Sequence, residues 1–194
     1  MFPDVPEADV ALSAAAAYVR DISSNITSAE ATFIKKLAKG KSLSFDPRKP
    51  KKVIIYAAKS FPAWQEKYID LVRESFDAMN LKIDDKGLNA KVGKLGEMKK
   101  AMPFVQGLKK RLVGNKESPE TVFDRKLPFD ELEVLAEMVM GLKRVTGAKE
   151  IEIVAVEEGG KTGTVVATGE KREGLNAENS VPGQPTFEFV NIAE

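Results

Sequence analysis

Lys52-Val53-Ile54-Ile55-Tyr56-Ala57-Ala58 is a short apolar run rich in β-branched residues. A run of this length and composition predicts a β-strand. Pro62 follows it and suits the first turn of a helix. Apolar residues then recur at helical spacing: Trp64, Tyr68, Val72, Phe76 and Met79. The segment therefore predicts a strand followed directly by a helix.

Further elements are expected toward the carboxyl end. Leu95–Leu112 has an apolar helical stripe, and Pro103 inside it predicts a kink or a break. Asp130–Val145 has the strongest helical pattern, with Leu132, Leu135, Val139, Leu142 and Val145 on one face and Gly147 as its stop. Four segments predict strands: an edge strand at Thr121–Leu127, then Glu150–Ile153, Thr164–Ala167 and Thr186–Asn191.

Toward the amino end, Asp9 is a candidate cap for one long helix with apolar residues from Leu12 to Leu37. A stripe of that length must pack on a partner, which is either missing or lies in the domain that follows. The proline-containing, basic segment 41–51 is a linker. The fold class predicted is α+β: a helical arm at 1–40, the linker, and a small mixed-sheet domain at 52–194 with three or four helices.

Composition excludes many functions. Cysteine and histidine are absent, which removes disulfides, thiol nucleophiles, the usual zinc sites and histidine bases. Carboxylate, lysine or tyrosine chemistry and an oxygen-ligated magnesium site remain open. The longest apolar run, Ala14–Val19, is too short to span a membrane. Met1–Glu7 is acidic and proline-rich, unlike a secretory signal, so an intracellular location is expected.

The net charge of +1 hides a strong segregation of charge. Lys35–Lys52 contains eight basic residues and one acid, and Lys99–Lys116 contains six basic residues and no acid. Glu150–Glu194 contains nine acids and three basic residues. This distribution predicts a cationic side that meets a polyanion.

The basic stretches supply the candidate binding residues. They can contact phosphate, which requires only point charges near the backbone, or they can be solvated faces. Reading of particular bases is not indicated. The candidate phosphate-binding residues are Lys49, Lys51, Lys52, Lys99, Lys100, Lys109, Lys110 and Arg111.

Three other features favour structural interpretations. Gly159–Gly163 resembles the end of a phosphate-binding loop, but Ala155 replaces the required glycine and a strand pattern follows, so a turn is expected. Trp64 is a better core anchor than a base-stacking platform. The pairs Asp84-Asp85 and Glu157-Glu158 are interpreted as solvated acids rather than magnesium ligands.

Three segments together resemble the C-terminal region of eukaryotic cytosolic leucyl-tRNA synthetases, most closely the fungal ones. They are Ser60-Phe61-Pro62-Ala63-Trp64-Gln65, Met98-Lys99-Lys100-Ala101-Met102-Pro103-Phe104, and Asn179–Pro185 with Phe189–Ile192. The start of the chain, Phe2-Pro3 with the helix around Ala17–Arg20, resembles the end of the family's anticodon-binding bundle.

The resemblance implies a cytoplasmic ligase that activates leucine with ATP and Mg²⁺ and esterifies it to tRNA(Leu). The family's nucleotide-binding signatures, His-Ile-Gly-His and Lys-Met-Ser-Lys-Ser, do not occur in this chain. The chain alone is therefore expected to lack a catalytic site and a cofactor, and to bind tRNA(Leu) together with the missing synthetase core. The alternative is a protein-interaction module that docks partners such as signalling GTPases. Neither expectation involves a membrane.

Overall fold

The computed structural model describes residues 7–114 and 118–193, with side chains from Val10 onward. The segment Met1–Pro6 and Lys116 lie outside what is described. The first helix, Glu7–Ala38, begins before Asp9, so the prediction of Asp9 as its cap was wrong. The chain divides into two compact units: a sheet unit formed by residues 1–60 and 127–194, and a helical unit, Phe61–Lys126.

The sheet unit contains two α-helices and five strands in its described part. The helices are α1 (Glu7–Ala38) and α6 (Glu131–Thr146). The strands are β1 (Lys51–Ala58), β4 (Glu150–Val156), β5 (Thr162–Val165), β6 (Lys171–Glu173) and β7 (Thr186–Asn191). Their order is β6-β5-β4-β1-β7. The β1–β4 pair is parallel and the other neighbouring pairs are antiparallel, which confirms a mixed sheet and the α+β class.

Alternate residues of β1 enter two different cores, as the two-residue period of a strand requires. Val53, Ile55 and Ala57 belong to the core shared with α1 and α6. Ile54 and Tyr56 belong to a second core on the opposite face, formed with β4, β5 and the loop after β6. The apolar run Val53–Ala57 is therefore buried on both faces of the sheet.

Helix α1 packs against α6. Its buried residues Tyr18, Ile22 and Ile26 enter the same core as Leu135 and Leu142 of α6. This agrees with the second alternative from the sequence, a partner in the domain that follows. Segment 41–51 is part of the sheet unit and packs on its strand β7. Phe45 is buried, and its ring stacks on that of Phe189 with the ring centroids 5.0 Å apart. The division at residues 40 and 51 stays a prediction.

The helical unit is inserted in the chain between β1 and α6. It contains α2 (Ala63–Ser75), the hairpin β2–β3 (Phe76–Asp77 and Lys82–Ile83), α3 (Asp85–Lys94), α4 (Met98–Lys109), a π-helical turn (Lys110–Gly114) and α5 (Pro119–Asp124). Its core brings together residues of α2, α3, α4, the π-helical turn and α5: Tyr68, Ile69, Val72, Leu88, Val92, Ala101, Val105, Leu108, Leu112, Val122 and Phe123.

One prediction for this unit was wrong, and one of two alternatives for another is excluded. Thr121–Leu127 was expected to be an edge strand, but α5 covers its first residues, with Ser118 as cap and Pro119 in the first turn. Pro103 was expected to kink a helix or to break it into two; α4 continues through Pro103, which excludes the break. Burial of Ala101, Val105 and Leu108 along one face holds α4 together despite the lost backbone hydrogen bond. The interruption lies earlier, at Leu95 and Gly96, between α3 and α4.

In α6 the structure confirms Gly147 as the stop and shows Asp130 as the cap, immediately before the helix. Val145 was placed on the buried face, and that placement was wrong, since 61% of Val145 is exposed.

Candidate functional site

The candidate lysines of the sheet unit have different environments. Lys49 is exposed. Lys51 is buried to 7% exposure and its ammonium group is paired with Glu30 of α1. The ammonium group of Lys52 lies 2.7 Å from a carboxylate oxygen of Glu152, on the neighbouring strand. Lys51 and Lys52 are therefore engaged within the fold, and Lys49 is the member of this group that solvent reaches.

The candidates of the helical unit surround α4 and the π-helical turn. Lys99, Lys100 and Lys110 are exposed, whereas Lys109 and Arg111 are half-buried. Lys109 is paired with Asp85 of α3. The segment Met98–Gly114 contains no acidic residue, so the exposed ammonium groups give this surface a positive potential.

Trp64 packs inside the helical unit. Its ring is 5.8 Å from that of Tyr68 and 5.5 Å from that of Phe104, in edge-to-face geometry. The ammonium group of Lys100 lies 4.6 Å from the ring centroid. Trp64 is half-buried. It packs against the core of the helical unit and, through Phe104, against α4. Because its ring already interacts with a cation, Lys100 and Trp64 form one combined feature of this surface.

A cleft of about 400 Å³ brings some of the candidates together. It lies between β3 on one side and α4 with the π-helical turn on the other. Lys109 and Lys110 line it, together with Leu81, Lys82, Ile83, Asp85, Gln106 and Val113. Lys99 and Lys100 do not line this cleft, and the candidates of the sheet unit belong to a separate body.

The hairpin that forms one wall of this cleft was not predicted from the sequence. Its turn is fixed by the carboxylate of Asp77, which accepts backbone N–H groups of Met79 at 3.0 Å and of Asn80 at 3.2 Å. The side-chain amide of Asn80 also donates to this carboxylate and lowers the pKa of Asp77 most. The two backbone bonds lower this pKa further. The apolar pattern that begins at Trp64 predicts a helix as far as Met79, although Asp77 and Asn80 are residues that favour turns. Met79 is 95% exposed at the tip.

The remaining sequence features have structural roles. Gly159, Gly160 and Lys161 lie in the turn between β4 and β5, as predicted, and Thr162 and Gly163 begin β5. Asp84 caps α3 by accepting the backbone N–H of Gly87 at 3.1 Å, and Glu157 accepts the hydroxyl of Thr162 at 3.1 Å. Within residues 7–114 and 118–193 no cluster of acidic residues has the arrangement of a metal site.

A buried polar network joins α1, α6 and the segment before β7. The hydroxyl of Tyr18 donates to Glu131, and the backbone N–H of Gly183 donates to the other carboxylate oxygen at 3.0 Å. Burial raises the pKa of Glu131 despite these two donors. Burial also raises the pKa of Tyr18. The network connects the two helices to the segment before β7, and Tyr18 and Gly183 also line a cleft of about 510 Å³. None of the candidate lysines lines this cleft.

Comparison with known proteins gives a consistent family. Residues 57–121 match a family described as leucine–tRNA ligase, RagD-binding domain. The chain is 52% identical to the cytoplasmic leucine–tRNA ligase of Neurospora crassa over 98% of its length and 36% identical to that of Saccharomyces cerevisiae over 95%. A further relative, from Pongo abelii, is 36% identical over 62% of the chain.

The chain spans a small part of these relatives: 17% of the Neurospora and Saccharomyces enzymes and 10% of the Pongo enzyme. None of the described helices is long and apolar enough to cross a membrane. The similarity extends over nearly the whole chain and includes the RagD-binding domain. The chain therefore belongs to the cytosolic leucine–tRNA ligase family and corresponds to the C-terminal region of its members.

Proposed function

We propose that this chain is a non-catalytic docking region of a cytoplasmic leucine–tRNA ligase and that its helical unit binds a RagD-type GTPase. One observation carries the proposal: residues 57–121, which match the RagD-binding domain, coincide closely with the compact unit Phe61–Lys126. A segment that has its own core can present a fixed surface to a partner. The catalytic site, with ATP and Mg²⁺, is assigned to the remainder of the ligase.

The surface of the helical unit supports protein docking. Exposed apolar side chains occur on the hairpin, around the α3–α4 junction and on the π-helical turn: Met79, Leu81, Leu95, Met98 and Val113. The exposed lysines Lys82 of the hairpin and Lys110 of the π-helical turn accompany them. Apolar contact area with a charged rim is typical of protein interfaces.

The test is binding of the full chain to purified RagD, measured by biolayer interferometry at several salt concentrations. We expect saturable binding that weakens only moderately with salt, since an interface with an apolar centre depends less on charge than nucleic-acid binding does. An unrelated small GTPase is the control. Equal binding of both GTPases, or no binding of RagD, would contradict the proposal.

A second function, contact with tRNA(Leu), is supported by the exposed lysines. Lys49, Lys99 and Lys100 are exposed. Each lysine that neutralises a phosphate releases counterions, so affinity for RNA must fall steeply with salt. Titration of labelled tRNA(Leu) with the chain tests this function, and a nearly flat salt dependence would argue against it. The cytoplasmic location in the names of the relatives agrees with either function.

A further inference from the structure

The hairpin β2–β3 presents an apolar side chain on a fixed backbone. Met79 is 95% exposed. Besides accepting two backbone N–H groups, Asp77 accepts the side-chain amide of Asn80 at 2.7 Å. A large side chain held outward by such a turn loses little backbone freedom when it enters a partner. Methionine is also enriched in protein interfaces.

The cleft beside the hairpin combines apolar and cationic walls. Leu81 and Val113 are 39% and 40% exposed, and they line it from opposite sides. Three lysines and one aspartate line it. That aspartate, Asp85, is already paired with Lys109. The cleft therefore has an excess of positive charge around exposed apolar surface, which is complementary to an apolar residue flanked by carboxylates.

Both walls of the cleft have irregular backbones. Leu81 has φ = 50°, in the left-handed region that side chains rarely adopt. The opposite wall includes the π-helical turn Lys110–Gly114. Backbone strain and single π-helical turns both concentrate at functional sites. Their joint occurrence around one cleft distinguishes this surface from the rest of the helical unit.

We propose that the cleft and the adjacent Met79 form the surface that binds the GTPase partner, through an acidic patch with an apolar centre on that partner. The inference rests on the proposed function and assigns its location. In this arrangement Met79 enters the partner, and Leu81 and Val113 receive an apolar residue of the partner. Lys82 and Lys110 face its carboxylates. RNA would use the lysines but would leave Met79 without a role.

The experiment compares two cleft variants with two matched controls in the full chain. Met79→Ala and Lys110→Glu should each weaken binding to purified RagD by about tenfold. The Lys110 change should act mainly on the association rate, since it alters the long-range potential. The controls are Met140→Ala, on an exposed methionine of α6, and Lys67→Glu, on an exposed lysine of α2. Both controls should bind within about twofold of the unsubstituted chain.

The outcomes separate the inference from the proposed function. If the unsubstituted chain binds RagD and both cleft variants bind equally well, the inference is overturned and the proposed function stands. If Lys67→Glu weakens binding as much as Lys110→Glu, the charge effect is general and the cleft is not the site. If Lys110→Glu weakens tRNA(Leu) binding but not RagD binding, the cleft is an RNA surface. If the unsubstituted chain does not bind RagD, both the function and the inference fail.

Discussion

Arg125 joins the two ends of the helical unit. Its guanidinium group donates to the side chain of Gln65 at 2.7 Å and is paired with Glu66. It also lies 3.7 Å from the ring centroid of Phe61. Its side chain is 7% exposed, and burial lowers its pKa. Since Phe61 begins the unit and Arg125 nearly ends it, this side chain closes the unit at its point of insertion.

Arg125→Ala should therefore destabilise the helical unit. We expect its free energy of unfolding to fall by about 2 kcal/mol, because a charged donor and a cation–π contact are lost from a buried site, while solvent around the exposed Glu66 weakens the ion pair. Trp64 is the single tryptophan of the chain and lies in this unit. Its fluorescence during urea denaturation measures the change. Lys67→Ala is the control and should stay within about 0.5 kcal/mol. Equal stability of both variants would contradict this role.

Asp46 has a perturbed acidity with an identifiable cause. The side chain of Arg48 donates to its carboxylate, and this bond, together with the backbone N–H of Arg48, lowers the pKa of Asp46 from 3.8 to about 2. The stabilising contribution of a group with a lowered folded-state pKa is present above its ordinary pKa. It should be lost as pH falls through the folded-state pKa, near pH 2.

Arg48→Ala should raise the pKa of Asp46 toward 3.8 without fully restoring it, because the backbone N–H at residue 48 remains. Titration of the carboxyl carbon by NMR measures the shift. Lys49→Ala is a matched control, since the charge of Lys49 lowers the pKa of this carboxyl group less than either hydrogen bond from Arg48 does. A larger shift in the Lys49 variant than in the Arg48 variant would show that the cause is long-range charge instead of the hydrogen bond.

At the scale of elements, local signals predicted β7 and α6 well. The bounds of β7, Thr186–Asn191, agree with the sequence prediction, and α6 (Glu131–Thr146) is shifted by one residue from the predicted helix Asp130–Val145 and stops at Gly147 as expected. In α5 two local signals conflicted. Thr121, Val122 and Phe123 favour a strand by composition, whereas Ser118-Pro119-Glu120 favours a helix start. The helix forms because it buries Val122 and Phe123 in the core of the helical unit.

The sequence pattern does not predict which lysines remain accessible. Lys51 and Lys52 belong to the same basic stretch as Lys49, but their carboxylate partners, Glu30 and Glu152, are distant in the chain. Pairing across strands and between a helix and a strand depends on the tertiary fold. The charge count of the stretch therefore overstated the positive surface of the sheet unit. Five α-helices follow β1 in the described part of the chain, more than the sequence predicted, because α3 and α5 were not identified as helices.

The turn between β4 and β5 offers a sharp test of backbone geometry. Gly159 and Gly160 both have positive φ, at 87° and 71°. A Cβ atom at Gly160 would lie 2.4 Å from the backbone nitrogen of Glu178, whereas one at Gly159 would have open space. The glycine-rich motif is therefore required here for close approach of two backbone segments.

Gly159→Ala should cost about 1 kcal/mol, the typical strain of a side chain at positive φ. Gly160→Ala should cost clearly more, about 3 kcal/mol, because the backbone must also move. Thermal denaturation followed by far-UV circular dichroism compares the two variants directly. Similar melting temperatures would show that the approach of Glu178 to this turn is not tight in solution.

At the scale of the whole molecule, the two proposed functions use different residues. The helical unit is inserted in the chain, and its cleft carries the proposed GTPase surface, including Lys110. The tRNA proposal rests on Lys49 of the sheet unit and on Lys99 and Lys100 of α4, which do not line the cleft. The acidic residues after Glu150 should face away from phosphate. Substitutions can therefore change one function and leave the other intact.

The variant Lys49→Ala/Lys99→Ala/Lys100→Ala should reduce tRNA(Leu) binding and preserve RagD binding. Loss of three phosphate contacts should flatten the slope of log affinity against log salt by roughly 2 to 3 units. Fluorescence anisotropy of labelled tRNA(Leu) at several salt concentrations measures this slope. Since Lys100 covers the ring of Trp64, the tryptophan emission and the melting temperature must first show that the variant is folded. Glu157→Gln/Glu158→Gln is the control and should keep the original slope. If the folded triple variant also keeps the original slope and affinity, these lysines are solvated residues, and RagD docking remains as the function of this region.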